Sequence, residues 1–263
     1  METRGYKQEL NESQWDEQTR RAMLATGVLF ILTFITSIVG LLLYGPVLDD
    51  STYVLGTSHD TRIAFGALCE VGLVITNIGT AIALYPVMKR YSETISLAYV
   101  ASRIFESTII AVGMVALLSV VTLRQDFVGA DATQAASLVT AAAALVAIHD
   151  WTFLFGPAFC AGFGNGILVG YLMYKSGIMP RRLAILGLVA GPLALATAVA
   201  VLFGAYEQTS LPSFIVTVPE IAWESIIGIY LTVKALRLGR GAGAVGLRAE
   251  SAGGGLAATS PNA

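Results

Sequence analysis

Several ionisable side chains of this chain fall where charge is most costly, inside long apolar runs. Glu70 lies within one such run, and Asn77 follows seven residues later on the same helical face. Arg103 and Glu106 stand three apart in the next run, with Tyr99 and Ser102 on the same stripe, a spacing that permits an ion pair within one turn. His149-Asp150 opens a further run that holds Asn165 deeper, and Glu220 and Glu224 follow Pro219 one turn apart. Charge in hydrocarbon is expensive, so each of these residues is a candidate functional group. Glu70, Glu106, Asp150, Glu220 and Glu224 face one certain cation, Arg103, with His149 as a second when protonated. These acids cannot all stay ionised in a low-dielectric site. Either some of them hold protons, which gives a proton donor or relay, or a bound metal or organic cation compensates them.

Two chemistries fit this inventory. The first is an intramembrane acid–base enzyme acting on a lipid or isoprenoid-like substrate. Glu70 or Glu224 would be the general acid, Glu220 and Asp150 would tune it, and His149 would shuttle protons. Arg103, Glu106, Asn77 and Asn165 would be binding residues. A variant places a divalent metal on His149, Glu70, Glu220 and Glu224; with two histidines in the chain, an oxygen-preferring ion suits it better than zinc. The second is a proton-linked transporter of a small, cationic solute, working as a homo-oligomer. A third, non-catalytic class is a sensor or assembly subunit signalling through its N-terminal arm. Each feature also has a plainer explanation: an Arg–Glu pair serves as glue between helices, and His149-Asp150 near the end of a run reads as interfacial. CxxC, HExxH and G-x-S-x-G patterns are all missing from the sequence, so zinc-protease and serine-triad chemistry have no motif.

The elements that must hold these groups are membrane spans. The chain has 263 residues, 55% hydrophobic and 13% charged, about half the usual share of charge, with a mean hydropathy of +0.70. That composition cannot clothe a water-soluble globule and excludes disorder, a coiled coil or a disulfide scaffold. A net charge of −2 offers no basic field to nucleic acid. Apolar runs of spanning length cover Ala22–Tyr44, Ile63–Val87, Thr94–Leu123, Leu183–Tyr206 and Phe214–Val233. The stretch between Asp131 and Tyr174 is long for one crossing and short for two, so the count is six or, alternatively, seven. With six spans and the N-terminus inside, thirteen of the 16 Lys and Arg residues are cytoplasmic, and only Arg62 and Arg124 lie outside. A seventh crossing would leave about 6 inside and 9 outside. The sequence therefore predicts an all-α, six-span bundle in the cytoplasmic (inner) membrane with both termini cytoplasmic. Residues 131–148 are expected as an outer-face amphipathic helix leading into the fourth span. Tyr85, Tyr91, Tyr171, Tyr174 and Tyr230 gather at the inner interface. By helical rise, Glu70, Glu220 and Glu224 sit roughly 10–17 Å below the outer surface, with Arg103 and Glu106 nearer mid-membrane.

Around the bundle at 22–237, residues 1–21 form a charged cytoplasmic arm, and 238–263 a Gly-, Ala- and Ser-rich tail expected to be disordered. The first span is too long for a signal-peptide core, and no small-residue cleavage site follows it. Gly162, Gly166 and Gly170 recur every four residues, which lets helix backbones approach closely in a bilayer. Cys69 and Cys160 read as two buried free thiols rather than a bridge.

The stretch Gly162–Pro192, GFGNGILVGYLMYKSGIMPRRLAILGLVAGP, resembles a bacterial membrane family known as Domain of Unknown Function 4386. Tyr174-Lys175-Ser176-Gly177 followed by Pro180-Arg181-Arg182-Leu183 carries most of the likeness. Glu70, His149-Asp150 and Glu224 fall at that family's polar positions, and the resemblance runs from Arg21 to Arg237. It implies an integral membrane bundle and brings no activity with it.

Overall fold

The computed structural model describes the backbone of residues 2–56, 60–127, 129 and 131–254, and the side chains of those from 17 to 239. Every regular element among them is helical. Six long helices follow in order: α1 (Glu2–Asp49), α2 (Asp60–Met88), α3 (Glu93–Asp126), α4 (Ala132–Ser176), α5 (Arg181–Leu202) and α6 (Leu211–Gly254). All six contain segments long and apolar enough to cross a membrane, so the chain is a multi-pass membrane helix bundle.

The number of crossings turns on α4. Asp131 caps its start: the carboxylate accepts from the N–H groups of Thr133 and Gln134, and Gln134 Oε1 accepts from the N–H of Asp131. The helix then runs without a break to Ser176. Residues 131–148 thus lead directly into the fourth span, as the first part of one continuous helix. They pack lengthwise and antiparallel on α3, with Leu138 and Ala142 in one core cluster with Leu117 and Val120. Further along the same interface, Gly113 faces His149 and Gly156 faces Ile109. Leu138 and Ala142 are the buried positions of this Ala-rich segment. Within α4, Leu154–Ala158 and Ala161–Val169 are wound as π-helix. Pro157 has no N–H to give to an ordinary helical turn, and the wider winding takes up the mismatch. The helix ends at Gly177, whose φ of 66° is the left-handed conformation of a C-terminal cap.

Each helix packs on the next in the chain, and α6 returns to pack on α1, so the six close into a ring. The sharpest approach is between α4 and α5. A side chain at Gly162 would lie 2.8 Å from the Gly191 carbonyl oxygen, and one at Gly170 would lie 3.1 Å from the Leu188 nitrogen. The four-residue glycine spacing is thus used for close packing. Two apolar clusters fill the ring. One, at the end carrying both termini, includes Leu84, Met88, Leu172, Met173, Ile227 and Leu231. The other, at the far end, includes Tyr44, Tyr53, Leu117 and Leu138. At the terminal end, Lys89, Lys175, Arg181 and Lys234 each stand over a tyrosine ring, Tyr85, Tyr171, Tyr174 and Tyr230 respectively, at 5.3–5.8 Å. α6 remains helical to Gly254; of the tail expected at 238–263, residues 255–263 lie outside the described residues, as do the side chains of residues 1–16 in the arm.

Candidate functional site

The polar residues singled out in the sequence form two centres. The larger lies inside the ring. Arg103 and Glu106 of α3 are 2% and 5% exposed, and the guanidinium Nη1 donates to Glu106 Oε2 at 2.8 Å. The three-residue spacing places both on one face of α3, and that face is turned inward. The guanidinium lies over the rings of Phe30 at 5.6 Å and Tyr99 at 6.0 Å, and its Nε reaches Thr80 Oγ1 at 3.4 Å. From α2, Asn77 Nδ2 donates to Ser107 Oγ at 3.3 Å. From across the ring, Asn165 Nδ2 of α4 donates to Glu224 Oε1 of α6. Both Glu220 and Glu224 lie within electrostatic reach of Arg103.

Glu220 is the exceptional member. It is 2% exposed, and neither carboxylate oxygen has a hydrogen-bond partner among the described residues. It faces the α4–α5 glycine contact: a side chain at Gly166 would lie 2.8 Å from Glu220 Oε2. Trp223, between the two glutamates, is fully buried, and its indole N–H donates to the Asn165 carbonyl at 2.8 Å. That bond fixes α6 against α4 and sets the rotation that turns Glu220 and Glu224 inward.

The second centre lies towards the far end, between α1, α2, α3 and α4. Tyr44 donates to Glu70 Oε2 at 2.7 Å, and its ring meets His149 edge-on at 6.0 Å. His149 is 6% exposed, and its Nδ1 has no hydrogen-bond partner among the described residues. Asp150, the next residue, is exposed where His149 is buried; its side chain is 68% exposed and its Oδ1 lies 3.7 Å from His149 Nδ1. A slot of about 30 Å3, room for a single water, is lined by Ser37, Glu70, Leu73, Ile110, His149 and Thr152, among others.

The structure therefore brings Arg103, Glu106, Asn77, Asn165, Glu220 and Glu224 together and places Glu70, His149 and Asp150 apart from them. The four-ligand metal set of His149, Glu70, Glu220 and Glu224 is not assembled, because its members divide between the two centres. Among the described residues, no group of three or more His, Cys, Asp or Glu is placed to hold a metal ion. Cys69 and Cys160 are free. Two contributors had escaped the sequence reading. Tyr44 looks like the interfacial end of the first span, yet it turns inward to Glu70. Trp223 carried a usable signal: a tryptophan deep in a span, between two acids, is not placed for an interfacial belt.

Searches of curated proteins and of solved structures return no match. A family model matches residues 25–235, nearly the whole helical bundle, and the chain belongs to the family described as Domain of unknown function (DUF4386).

Proposed function

We propose that this protein is a proton-linked carrier of a small cationic solute, with Arg103, Glu106, Glu220 and Glu224 as its exchange site. One observation carries this reading: three carboxylates share one guanidinium inside the ring, and Glu220 has no donor for either oxygen among the described residues. A buried carboxylate without a donor is tolerable when it carries a proton or when a cation sits beside it. Alternation between those two conditions is proton–cation exchange. The Lys and Arg asymmetry of the loops supports a cytoplasmic (inner) membrane location with both termini in the cytoplasm, and the carrier would work as a homo-oligomer.

The test uses purified protein in acid-loaded liposomes with a pH-sensitive dye inside. Choline, tetramethylammonium and guanidinium are added outside in turn. At least one should drive proton efflux with wild-type protein and fail to do so with folded Glu220→Gln. Equal traces for wild type and Glu220→Gln across the panel would refute the reading.

A second reading has its own observation. A lateral groove of about 720 Å3 is lined by Ala98, Ala101, Phe105, Phe155, Phe159 and Phe163, with Ser102 and Cys160 also on its wall. Ser102 is the residue before Arg103, so an apolar tail seated there would bring its head close to the central carboxylates. This favours the intramembrane acid–base enzyme acting on a lipid or isoprenoid-like substrate. Product formation from membrane lipids by purified protein, lost in Glu224→Gln, would select it over the carrier.

A further inference from the structure

We infer that the slot between Glu70 and His149 is the proton port through which the central carboxylates exchange with the far side of the membrane. The inference rests on the reading that those carboxylates hold exchangeable protons, and adds the route. Four observations place it. Asp150 is exposed, while the adjoining His149 is buried, with its Nδ1 3.7 Å from Asp150 Oδ1 and otherwise unpartnered. Both His149 and Glu70 line a slot with room for one water. Tyr44 holds Glu70 Oε2 at 2.7 Å and packs its ring edge against His149, so one side chain positions both ends of the gap. Finally, the slot's lining includes Leu73 and Ile110. Leu73 stands four residues before Asn77 and Ile110 four after Glu106, so each is one turn, about 5.4 Å, from the central centre.

The path is then Asp150, His149, a water, and Glu70, with the two buried aliphatic side chains as a barrier above Asn77, Ser107 and Glu106. A proton accepted by imidazole from the Asp150 side is passed through the water to the Glu70 carboxylate, and the imidazole returns to neutral. The titratable groups facing His149 are Tyr44 from α1, Glu70 from α2 and Asp150 from its own helix; α3 presents Ile110 and Gly113.

The experiment follows the infrared carbonyl band of protonated carboxyl groups in the full-length protein in lipid nanodiscs after a switch to D2O. The wild type should show a band that shifts with exchange. His149→Ala should slow that shift at least tenfold, and free imidazole should restore it, a rescue that a purely structural histidine would not give. Ile110→Ala, which thins the barrier, should speed it. A His149→Ala rate within twofold of wild type, or a slowed rate that imidazole leaves unchanged, overturns the port. A wild-type band that is missing, or one unaltered by both Glu220→Gln and Glu224→Gln, overturns the central exchange site itself and the port with it.

Discussion

Replacing Arg103 with methionine keeps the length of the aliphatic stem and removes the cation that faces Glu106, Glu220 and Glu224. With Arg103 and Glu106 at 2% and 5% exposure, water cannot take over the role of the guanidinium. Breaking a buried pair by deleting one partner destabilises by about 3–5 kcal/mol, because the other charge stays buried alone. Glu106→Gln should cost less, about 1.5–3 kcal/mol for one charge-assisted hydrogen bond, because Arg103 keeps two other carboxylates. The expected order is therefore Arg103→Met well above Glu106→Gln. The double variant should fall short of the sum by about 0.5–3 kcal/mol. Trp223 supplies the assay, since its indole N–H bond joins it to Asn165, 58 residues away in sequence, and breaks when α4 and α6 separate. In a background with Trp15 and Trp151 replaced by phenylalanine, its fluorescence follows unfolding by SDS in mixed micelles. If Glu106→Gln costs as much as Arg103→Met, or the two add without coupling, Arg103 is not the shared counter-ion and the central site loses its organising charge.

Gly166→Ala forces a methyl group against the Gly191 backbone and to 2.8 Å from Glu220 Oε2, contacts that rigid helices cannot relieve. It should destabilise by about 1–3 kcal/mol in the same unfolding assay, with Gly170→Ala, facing Leu188 at 3.1 Å, milder. At the far end, burial pushes the Tyr53 phenol up to about 12, assisted by its hydrogen bond to Asp60 at 3.0 Å. The folded state therefore holds this proton more tightly than the unfolded chain, whose tyrosine titrates near its ordinary value of about 10. The stability it contributes is full below about pH 10 and is lost as pH rises through about 12. Ultraviolet titration should show one late phenolate that Tyr53→Phe removes, and its persistence in that variant would contradict the assignment. Asp131→Ala removes the cap of α4 and should cost about 1 kcal/mol. Amide exchange should accelerate at Thr133 and Gln134, and unchanged protection there would contradict the role of the cap.

What the sequence makes legible is whatever depends on one helix at a time. Spanning length, the pairing of Arg103 with Glu106 three residues on, and the four-residue glycine stripe are all properties of a single 3.6-residue period. The rotation of each helix relative to its neighbours is not such a property. That rotation decides that Glu70 meets Tyr44 and His149 while Glu220 and Glu224 meet Arg103. It also decides which of His149 and Asp150, about 100° apart on their own helix, is buried and which exposed. For α4 the obstacle was different. The Ala-rich segment 131–148, with Gln134, Ser137 and Thr140 about one turn apart, suits a membrane surface or a small-residue helix interface equally well, and the partner that buries it, α3, is not visible from within the segment.

The division into two centres changes the charge argument. Counted along the chain, five acids face one arginine and one histidine. Counted in space, Asp150 lies on the outer surface of the ring and Glu70 has a phenol donor, with an imidazole across a one-water slot. The surplus that remains is confined to Glu106, Glu220 and Glu224 around Arg103. Glu106 is paired at 2.8 Å and Glu224 is bonded to Asn165, so the imbalance falls on Glu220. A carboxylate in that position gains most from a proton or a cation, and the glycine contact between α4 and α5 is what holds it there. Glu220→Gln, which keeps the shape and removes the charge, should therefore stabilise the bundle in the SDS assay while abolishing proton–cation exchange. A variant that lost stability instead would show that the Glu220 charge is compensated in place, and the proposed site would have to move to Glu224.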